Sequence, residues 1–314
     1  MKKEIFQNII KQVPSLNHLQ RVELRNELDH SDDLKTVCDY IEHHIEEKPL
    51  CPHCHSQHFI KHGFQSNLIR YICKDCGRTF NALTGTSMAR LRKKELWLKY
   101  TQCLLKSQTI RKCVLAVGVA IATSFKWRHR ILNTSQRSEV QTLSGIVEVD
   151  ETFFLESQKG SRHLERKARK RGGSAKKRGV SKKQVSVLVA CDRNDHEADY
   201  ITGFGAVASN WLEENFTKHL NKQVLLISDS AKSFECFCKH KNIEHISLNV
   251  SKGVRVKGIF HIQHVNSYHS MLKNWMMRFH GVATKYLDHY LGWCNELKSK
   301  HITNPEELLK IAIE

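Results

Sequence analysis

The chain has 314 residues, and its 50 Lys and Arg outnumber its 32 Asp and Glu, giving a formal net charge of +18. Such an excess favours a polyanionic partner, usually nucleic acid, with an anionic membrane surface as the alternative. No apolar run is long enough to span a bilayer, and the first residues lack the apolar core of a secretory signal. Eleven cysteines include only one tight cluster, so we expect a cytoplasmic protein with reduced thiols.

Residues 1–48 predict a helical N-terminal segment. Apolar residues recur there with the period of a helix, Pro14 interrupts them, and Ser31 is a candidate cap for a further helix. Nothing in this segment indicates chemistry.

Residues 49–84 predict a zinc ribbon. Two C-x-x-C pairs, Cys51 with Cys54 and Cys73 with Cys76, are separated by eighteen residues. That spacing is typical of a closed tetrahedral Zn²⁺ site, in which thiolates suit a borderline-soft ion. The alternative is four unconnected cysteines.

Residues 86–136 predict a DNA-binding helix-turn-helix region. Helical patterns at 109–117 and 120–132 are separated by Gly118, and the second helix is basic. A second helix of this kind can lie in a major groove, where its candidate DNA contacts are Lys126, Arg128 and Arg130. The alternative is a plain helical linker.

Residues 144–295 predict an α/β catalytic core. Strands at 145–150, 184–192, 196–204, 224–228 and 243–248 and helices at 210–220 and 231–240 follow the order of a ribonuclease-H-like domain. In that order the first strand neighbours the fourth, so Asp150 and Asp229 meet at two strand ends. Paired carboxylates indicate a hard divalent ion such as Mg²⁺, whereas either Asp alone could simply cap a turn.

A basic insert at 157–183 interrupts this core. Residues 159–183 contain twelve Lys or Arg and one acid, too polar to bury a core. We expect the insert to bind DNA backbone, with a solvated loop as the alternative. Its candidate DNA contacts are Arg169, Lys170, Arg171, Lys176, Lys177 and Arg178.

The last part of the core predicts a helix with one polar stripe. Asn266, His269 and Lys273 stand at i, i+3 and i+7, on one face of that helix. Its position directly after the fifth strand favours a functional stripe, although such stripes are often only solvated and Asn266 could simply cap its helix. Residues 296–314 predict a polar, peripheral C-terminal tail.

These motifs together resemble the ISXO-type transposases of bacterial insertion sequences. The resemblance covers roughly residues 49–295 and includes V-D-E-T at 149–152, S-D-S at 228–230, H-V-N-S-Y-H-S-x-L-K at 264–273 and the G-V-A-T-K-Y-L stretch at 281–287. It implies a DDE-class enzyme with a ribonuclease-H-like core, acting in the bacterial nucleoid on insertion-sequence ends and target DNA. It also implies a homo-oligomer when two ends are synapsed.

The resemblance also implies roles for individual residues. Asp150 and Asp229 would bind Mg²⁺ or Mn²⁺, with Asn266 as third ligand in place of the usual Glu. Lys273 matches a downstream basic residue that would hold a phosphate, and His269 would do the same or assist proton transfer. Glu148 is either a fourth acid or half of a structural salt bridge.

Two other functions fit the same motifs. A nuclease of this fold would cut DNA without joining ends, and a regulator would bind DNA through the ribbon and helix-turn-helix without activity. The complete set of Asp150, Asp229, Asn266 and Lys273 favours the transposase over the regulator.

Overall fold

The computed structural model describes residues 3–47, 49–134, 142–169, 179–249, 252–299 and 302–313. These form two compact units, of which the first comprises Met1–Ser135 with Ser299–Glu314 and the second comprises Gln136–Lys298. Within the described residues, each helix is too short or too polar to traverse a lipid bilayer.

The first unit combines helices with a small sheet. Its elements up to the second unit are α1 (Lys3–Gln12), α2 (His18–Glu47), β1 (Phe59–Gln65), β2 (Leu68–Cys73), β3 (Thr79–Phe80), α3 (Trp97–Leu105), α4 (Ile110–Val117) and α5 (Ile121–Thr134). Helix α2 runs through Ser31 without a break, so the prediction of a new helix start there is wrong. Pro14 does end α1, in a single 3-10 turn.

The three strands form an antiparallel sheet in the order β1-β2-β3. Aromatic rings hold it together, since Tyr71 stacks on Phe80 with ring centroids 5.5 Å apart and Phe59 meets both rings edge-on. With the four cysteines at its end, this sheet has the form of the predicted zinc ribbon.

Helices α4 and α5 lie at the positions of the predicted helix-turn-helix pair. The Thr109 side chain caps α4 by accepting the Lys112 N–H, and α4 ends at Gly118, whose φ of 74° is a left-handed conformation that suits glycine. On α5, Lys126 is exposed, as a DNA contact must be.

Arg128 does not match its predicted role as a DNA contact, because its side chain is fully buried. Its Nη2 donates to the Gln108 carbonyl oxygen at 2.5 Å and lies 3.4 Å from the Cys113 sulfur. The guanidinium therefore ties α5 to the start of α4 inside the unit. Arg130 is half-buried and donates to the Ser87 carbonyl oxygen at 2.9 Å.

The second unit is built on a five-stranded mixed sheet. Its elements are β4 (Leu143–Leu155), β5 (Gln184–Asp192), β6 (Glu197–Phe204), α6 (Ser209–Trp211), β7 (Leu220–Asp229), α7 (Lys232–Lys241), β8 (Glu244–Leu248), α8 (Gln263–Met277) and α9 (Leu287–Ser299). The strand order is β6-β5-β4-β7-β8, with β4 parallel to β7 and antiparallel to β5. This is the ribonuclease-H-like arrangement predicted from the order of the elements.

Strand β4 has two different faces because its side chains alternate. Val147 and Val149 pack into a core that includes Phe234 and Phe237 of α7. Residues 146, 148 and 150 point to the opposite face, where α8 packs. This second face therefore carries the carboxylates of Glu148 and Asp150.

The C-terminal residues differ from the predicted polar tail. Residues Pro305–Ile313 form helix α10, which belongs to the first unit. Leu308, Leu309, Ala312 and Ile313 are buried, so the apolar side of this helix completes the core of that unit. Glu306, Glu307 and Lys310 of the same helix lower its average hydropathy, so average composition does not reveal this apolar side.

The burial of Arg128 generates a first prediction. Arg128→Ala should lower the unfolding free energy of the first unit by at least about 2 kcal/mol, because it removes hydrogen bonds of a buried charge and leaves a cavity. Lys126→Ala, one position from the buried face, should change it by less than about 0.5 kcal/mol. Calorimetric unfolding measures both, and equal melting temperatures for the two variants would contradict the assignment.

Candidate active site

The parallel pairing of β4 with β7 brings two carboxylates together. In this ladder Val149 lies opposite Ser228, so Asp150 and Asp229 are the next residues of the two strands. The sequence predicted that Asp150 lies at the end of its strand. Strand β4 instead continues to Leu155 along β5, so Asp150 lies only at the end of the parallel ladder. The two side chains are close enough for the charge of Asp229 to act on Asp150.

Asp150 is held in an unfavourable environment for a negative charge. Burial raises its pKa to about 7, and the hydrogen bond from the Glu151 N–H is the main opposing effect. The charges of Asp229 and Glu151 raise the pKa further, and the charge of Lys273 lowers it. A buried carboxyl beside a second carboxylate offers the hard oxygen ligands that a divalent cation binds. The two Asp residues therefore fit Mg²⁺ or Mn²⁺.

Helix α8 brings the predicted polar stripe to this pair. The His269 Nδ1 lies 4.0 Å from Asp150 Oδ2, and Lys273 is near enough to affect the pKa of both side chains. Asn266 is exposed one turn before His269 on the same helix face. The helix thus places an imidazole and an ammonium group beside the Asp150 carboxylate, with the Asn266 amide on the same helix face.

His269 is an uncharged group in this setting. Burial, assisted by the charge of Lys273, lowers its pKa to about 4, so the ring is neutral at pH 7. Its buried Nε2 has no hydrogen-bond partner among the described residues. A neutral ring fits hydrogen bonding or proton transfer better than a cationic phosphate contact.

The acids flanking Asp150 have structural partners. Glu151 points to the opposite face of β4, where its Oε1 accepts from Ser186 Oγ at 2.6 Å and from the Val207 N–H at 2.7 Å. Glu148 is fully buried and forms a salt bridge with Arg193 at 2.9 Å, which is the structural alternative left open by the sequence. The sequence does not single out Arg193 as a partner of Glu148, because Arg193 lies in a turn after β5 and belongs to no motif.

The four predicted zinc ligands come together in the first unit. The Cys51 and Cys76 sulfurs lie 3.8 Å apart, and those of Cys54 and Cys73 lie 3.6 Å apart. Four sulfurs at the usual Zn–S distance form a tetrahedron with edges of about 3.8 Å. The cluster is therefore consistent with one zinc ion.

The described part of the basic insert is attached to the second unit. Glu156 Oε2 accepts from Arg166 Nε at 2.8 Å and lies 3.3 Å from Arg169 Nη2, so Arg169 is not a freely projecting cation. Lys159 Nζ donates to the carbonyl oxygens of His280 and Gly281, at 3.1 and 2.7 Å, just beyond the end of α8. The other predicted contacts, Lys170, Arg171, Lys176, Lys177 and Arg178, lie outside the described residues.

Comparison with known proteins identifies relatives for the second unit and for most of the chain. Residues 142–295 match the family model of the ISXO2-like transposase domain. An uncharacterised protein in the transposable element ISH50 of Halobacterium salinarum is 27% identical over 271 residues, covering 84% of this chain and 90% of that protein.

Solved structures of Mos1 transposase complexes also align with the chain. A pre-cleavage Mos1 transpososome is 14% identical over 68% of this chain and 76% of that chain, with a TM-score of 0.22. The Mos1 strand transfer complex is 14% identical over 64% and 75%, with a TM-score of 0.24. At such TM-scores the fold assignment depends on the order of the strands and on the family match.

The sulfur distances predict one zinc ion per chain. Elemental analysis of protein purified without chelator should find about one zinc, and Cys73→Ser should lose it together with stability of the first unit. Cys236→Ser, which changes a cysteine of α7 outside the cluster, is the matched control and should keep its zinc. Metal-free wild-type protein that unfolds at the same temperature as the zinc-loaded form would contradict a structural zinc site.

The raised pKa of Asp150 predicts a pH-dependent stability cost. The folded carboxyl holds its proton up to about pH 7 and the unfolded one only to its usual value near 3.8, so stability falls as pH rises through this window. Asp150→Asn should therefore stabilise the protein at pH 8, by at most about 4 kcal/mol, without added divalent metal. The gain should vanish near pH 4, and an equal gain at both pH values in thermal unfolding would exclude this cause.

Proposed function

We propose that this protein binds insertion-sequence ends and catalyses metal-dependent DNA cleavage and strand transfer, because residues 142–295 match the ISXO2-like transposase domain. The observation that supports the proposal is that Asp150 and Asp229 end the parallel ladder side by side, with His269 of α8 4.0 Å from Asp150. Each of these groups matches a need of in-line displacement at phosphorus.

The carboxylates of Asp150 and Asp229 would hold Mg²⁺ or Mn²⁺, with the Asn266 amide oxygen as a third, uncharged ligand. Such ions, when bound, activate a water or 3′-hydroxyl nucleophile and stabilise the leaving oxygen. The Lys273 ammonium group is exposed beside the carboxylates, where it would bind a DNA phosphate. His269, buried and neutral, would orient a neighbouring group or move a proton at its Nδ1.

The first unit and the basic insert would supply DNA affinity. Lys126 is exposed on the second helix of the helix-turn-helix, and the chain as a whole carries a net charge of +18. Contacts of such groups with phosphates bind DNA without reading its sequence. Joining requires two ends at once, so we further propose that the protein acts as a homo-oligomer.

A series of substitutions tests the site. Asp150→Ala and Asp229→Ala should each abolish cleavage while DNA affinity stays nearly unchanged, because the DNA-binding groups lie elsewhere. Asn266→Ala should be nearly inactive. Asn266→Asp keeps an oxygen ligand and adds a charge, so it should retain partial cleavage and bind Mg²⁺ more tightly in the absence of DNA.

The matched control is Asn274→Ala, which removes another exposed amide of α8. It should cleave like wild type in gel assays of end-bearing DNA, and calorimetry should show no change in Mg²⁺ binding. Wild-type cleavage by Asn266→Ala would remove Asn266 from the ligand set, and wild-type cleavage by either Asp variant would contradict the whole site.

A further inference from the structure

A carboxylate from strand β4 caps the first turn of helix α8. Glu148 is fully buried in β4, and its Oε2 accepts from the backbone N–H of His264 at 2.8 Å and of Val265 at 3.4 Å. These are the second and third residues of α8, whose N–H groups have no partner within the helix. Ile262, the residue before the helix, provides no side-chain cap, so Glu148 supplies it from outside.

The second oxygen of Glu148 fixes the carboxylate itself. Its Oε1 lies 2.9 Å from Arg193 Nη2, 2.6 Å from His264 Nδ1 and 3.2 Å from His261 Nδ1. Arg193 follows the end of β5 and also donates to the Ile259 carbonyl oxygen at 3.3 Å. A buried carboxylate that pairs with Arg193 and accepts two backbone N–H groups is stabilised in one position.

The same cluster resembles a metal site but does not fit one. Ligand atoms of Glu148, His261 and His264 lie within 4.8 Å of one another. However, Arg193 Nη1 lies 3.0 Å from His264 Nδ1 and 3.2 Å from His261 Nε2, so a permanent cation already occupies the place an ion would need. Glu148 and Arg193 together, called the clamp below, bind the first turn of α8 instead.

The clamp also sets how α8 lies against the catalytic carboxylate. Glu148 and Asp150 are two residues apart on one face of β4, a rise of about 6.6 Å. Val265, bound to Glu148, and His269, beside Asp150, are four residues apart on α8, a rise of about 6 Å. Because the two spacings match, β4 and α8 lie alongside each other, with Val265 level with Glu148 and His269 level with Asp150. Asn266 is the residue directly after Val265.

We propose that Glu148, held by Arg193, is a positioning residue that fixes the first turn of α8 and so places Asn266 at the carboxylate pair. This inference rests on the proposed function, since the placement of Asn266 matters for metal-dependent cleavage. Glu148 itself touches no reacting atom in this account and acts through the backbone of α8.

Amide hydrogen exchange tests the clamp without any substrate. In Glu148→Ala, exchange at His264 and Val265 should rise about tenfold to hundredfold over wild type, the factor for losing a hydrogen bond to a charged acceptor. Glu148→Gln keeps an acceptor oxygen and nearly the same volume, so its exchange should rise less. Unchanged exchange in both variants would overturn the proposal.

The matched control is Asp192→Asn. Asp192 is also a buried carboxylate that accepts backbone N–H groups, from Asn194 at 2.8 Å, His196 at 3.0 Å and Ser144 at 3.2 Å, none of them in α8. Its substitution should leave exchange at the start of α8 at the wild-type rate. Equal acceleration in the control would show general loosening and contradict a specific clamp.

The effect of Glu148 on catalysis is tested separately, in a DNA cleavage assay. At saturating DNA, Glu148→Ala should cleave at least about tenfold more slowly than wild type and Glu148→Gln should recover part of that loss, with DNA dissociation constants within about twofold. Wild-type cleavage by Glu148→Ala despite faster exchange would overturn the positioning role. If wild-type protein itself does not cleave, the proposed function fails, and the exchange result still decides whether Glu148 fixes α8.

Discussion

The parallel ladder between β4 and β7 imposes the constraint on which the rest of the second unit depends. It forces Asp150 and Asp229 side by side, in a setting where burial already raises the pKa of Asp150 to about 7. A fold selected for stability alone would place apolar side chains there. In the proposed function, a divalent cation bound between the two carboxylates would offset this cost.

Hydrogen bonds attach helix α8 near both of its ends to β4 and to the segment that follows β4. Glu148 holds the first turn, and Lys159, four residues after the end of β4, binds the carbonyl groups that follow the last turn. Ser157 and Thr284 add two hydrogen bonds, at 2.9 and 2.8 Å, between the same two segments. The base of the basic insert is thus joined to the segment that follows the helix carrying Asn266.

The parts of this site that could be predicted from sequence are those with a local signature. Cysteine spacing predicted the four-cysteine cluster, and two apolar strands that each end in Asp, combined with the order of the elements, predicted that Asp150 and Asp229 are neighbours. The burial of Arg128 could not be predicted, because a basic helix face looks the same whether it meets DNA or the Gln108 carbonyl. The Glu148 clamp joins segments more than a hundred residues apart, which no local pattern records.

Helix α10 is a different case, since its signal was present and missed. Leu308, Leu309, Ala312 and Ile313 repeat at helical spacing, but the polar residues around them led to the prediction of a tail. Periodicity in a short segment is a better guide to burial than its average polarity.

The most direct measurement of the central claim is a joining assay with purified full-length protein. A linear DNA that ends in the sequences flanking the gene for this chain is incubated with a supercoiled target plasmid and Mg²⁺, and a parallel reaction omits the metal. The account predicts plasmid products joined to the linear ends, formed only with metal. Nicked or cut DNA without joined products would indicate a nuclease instead, and DNA retained but uncut under all conditions would contradict the catalytic site described here.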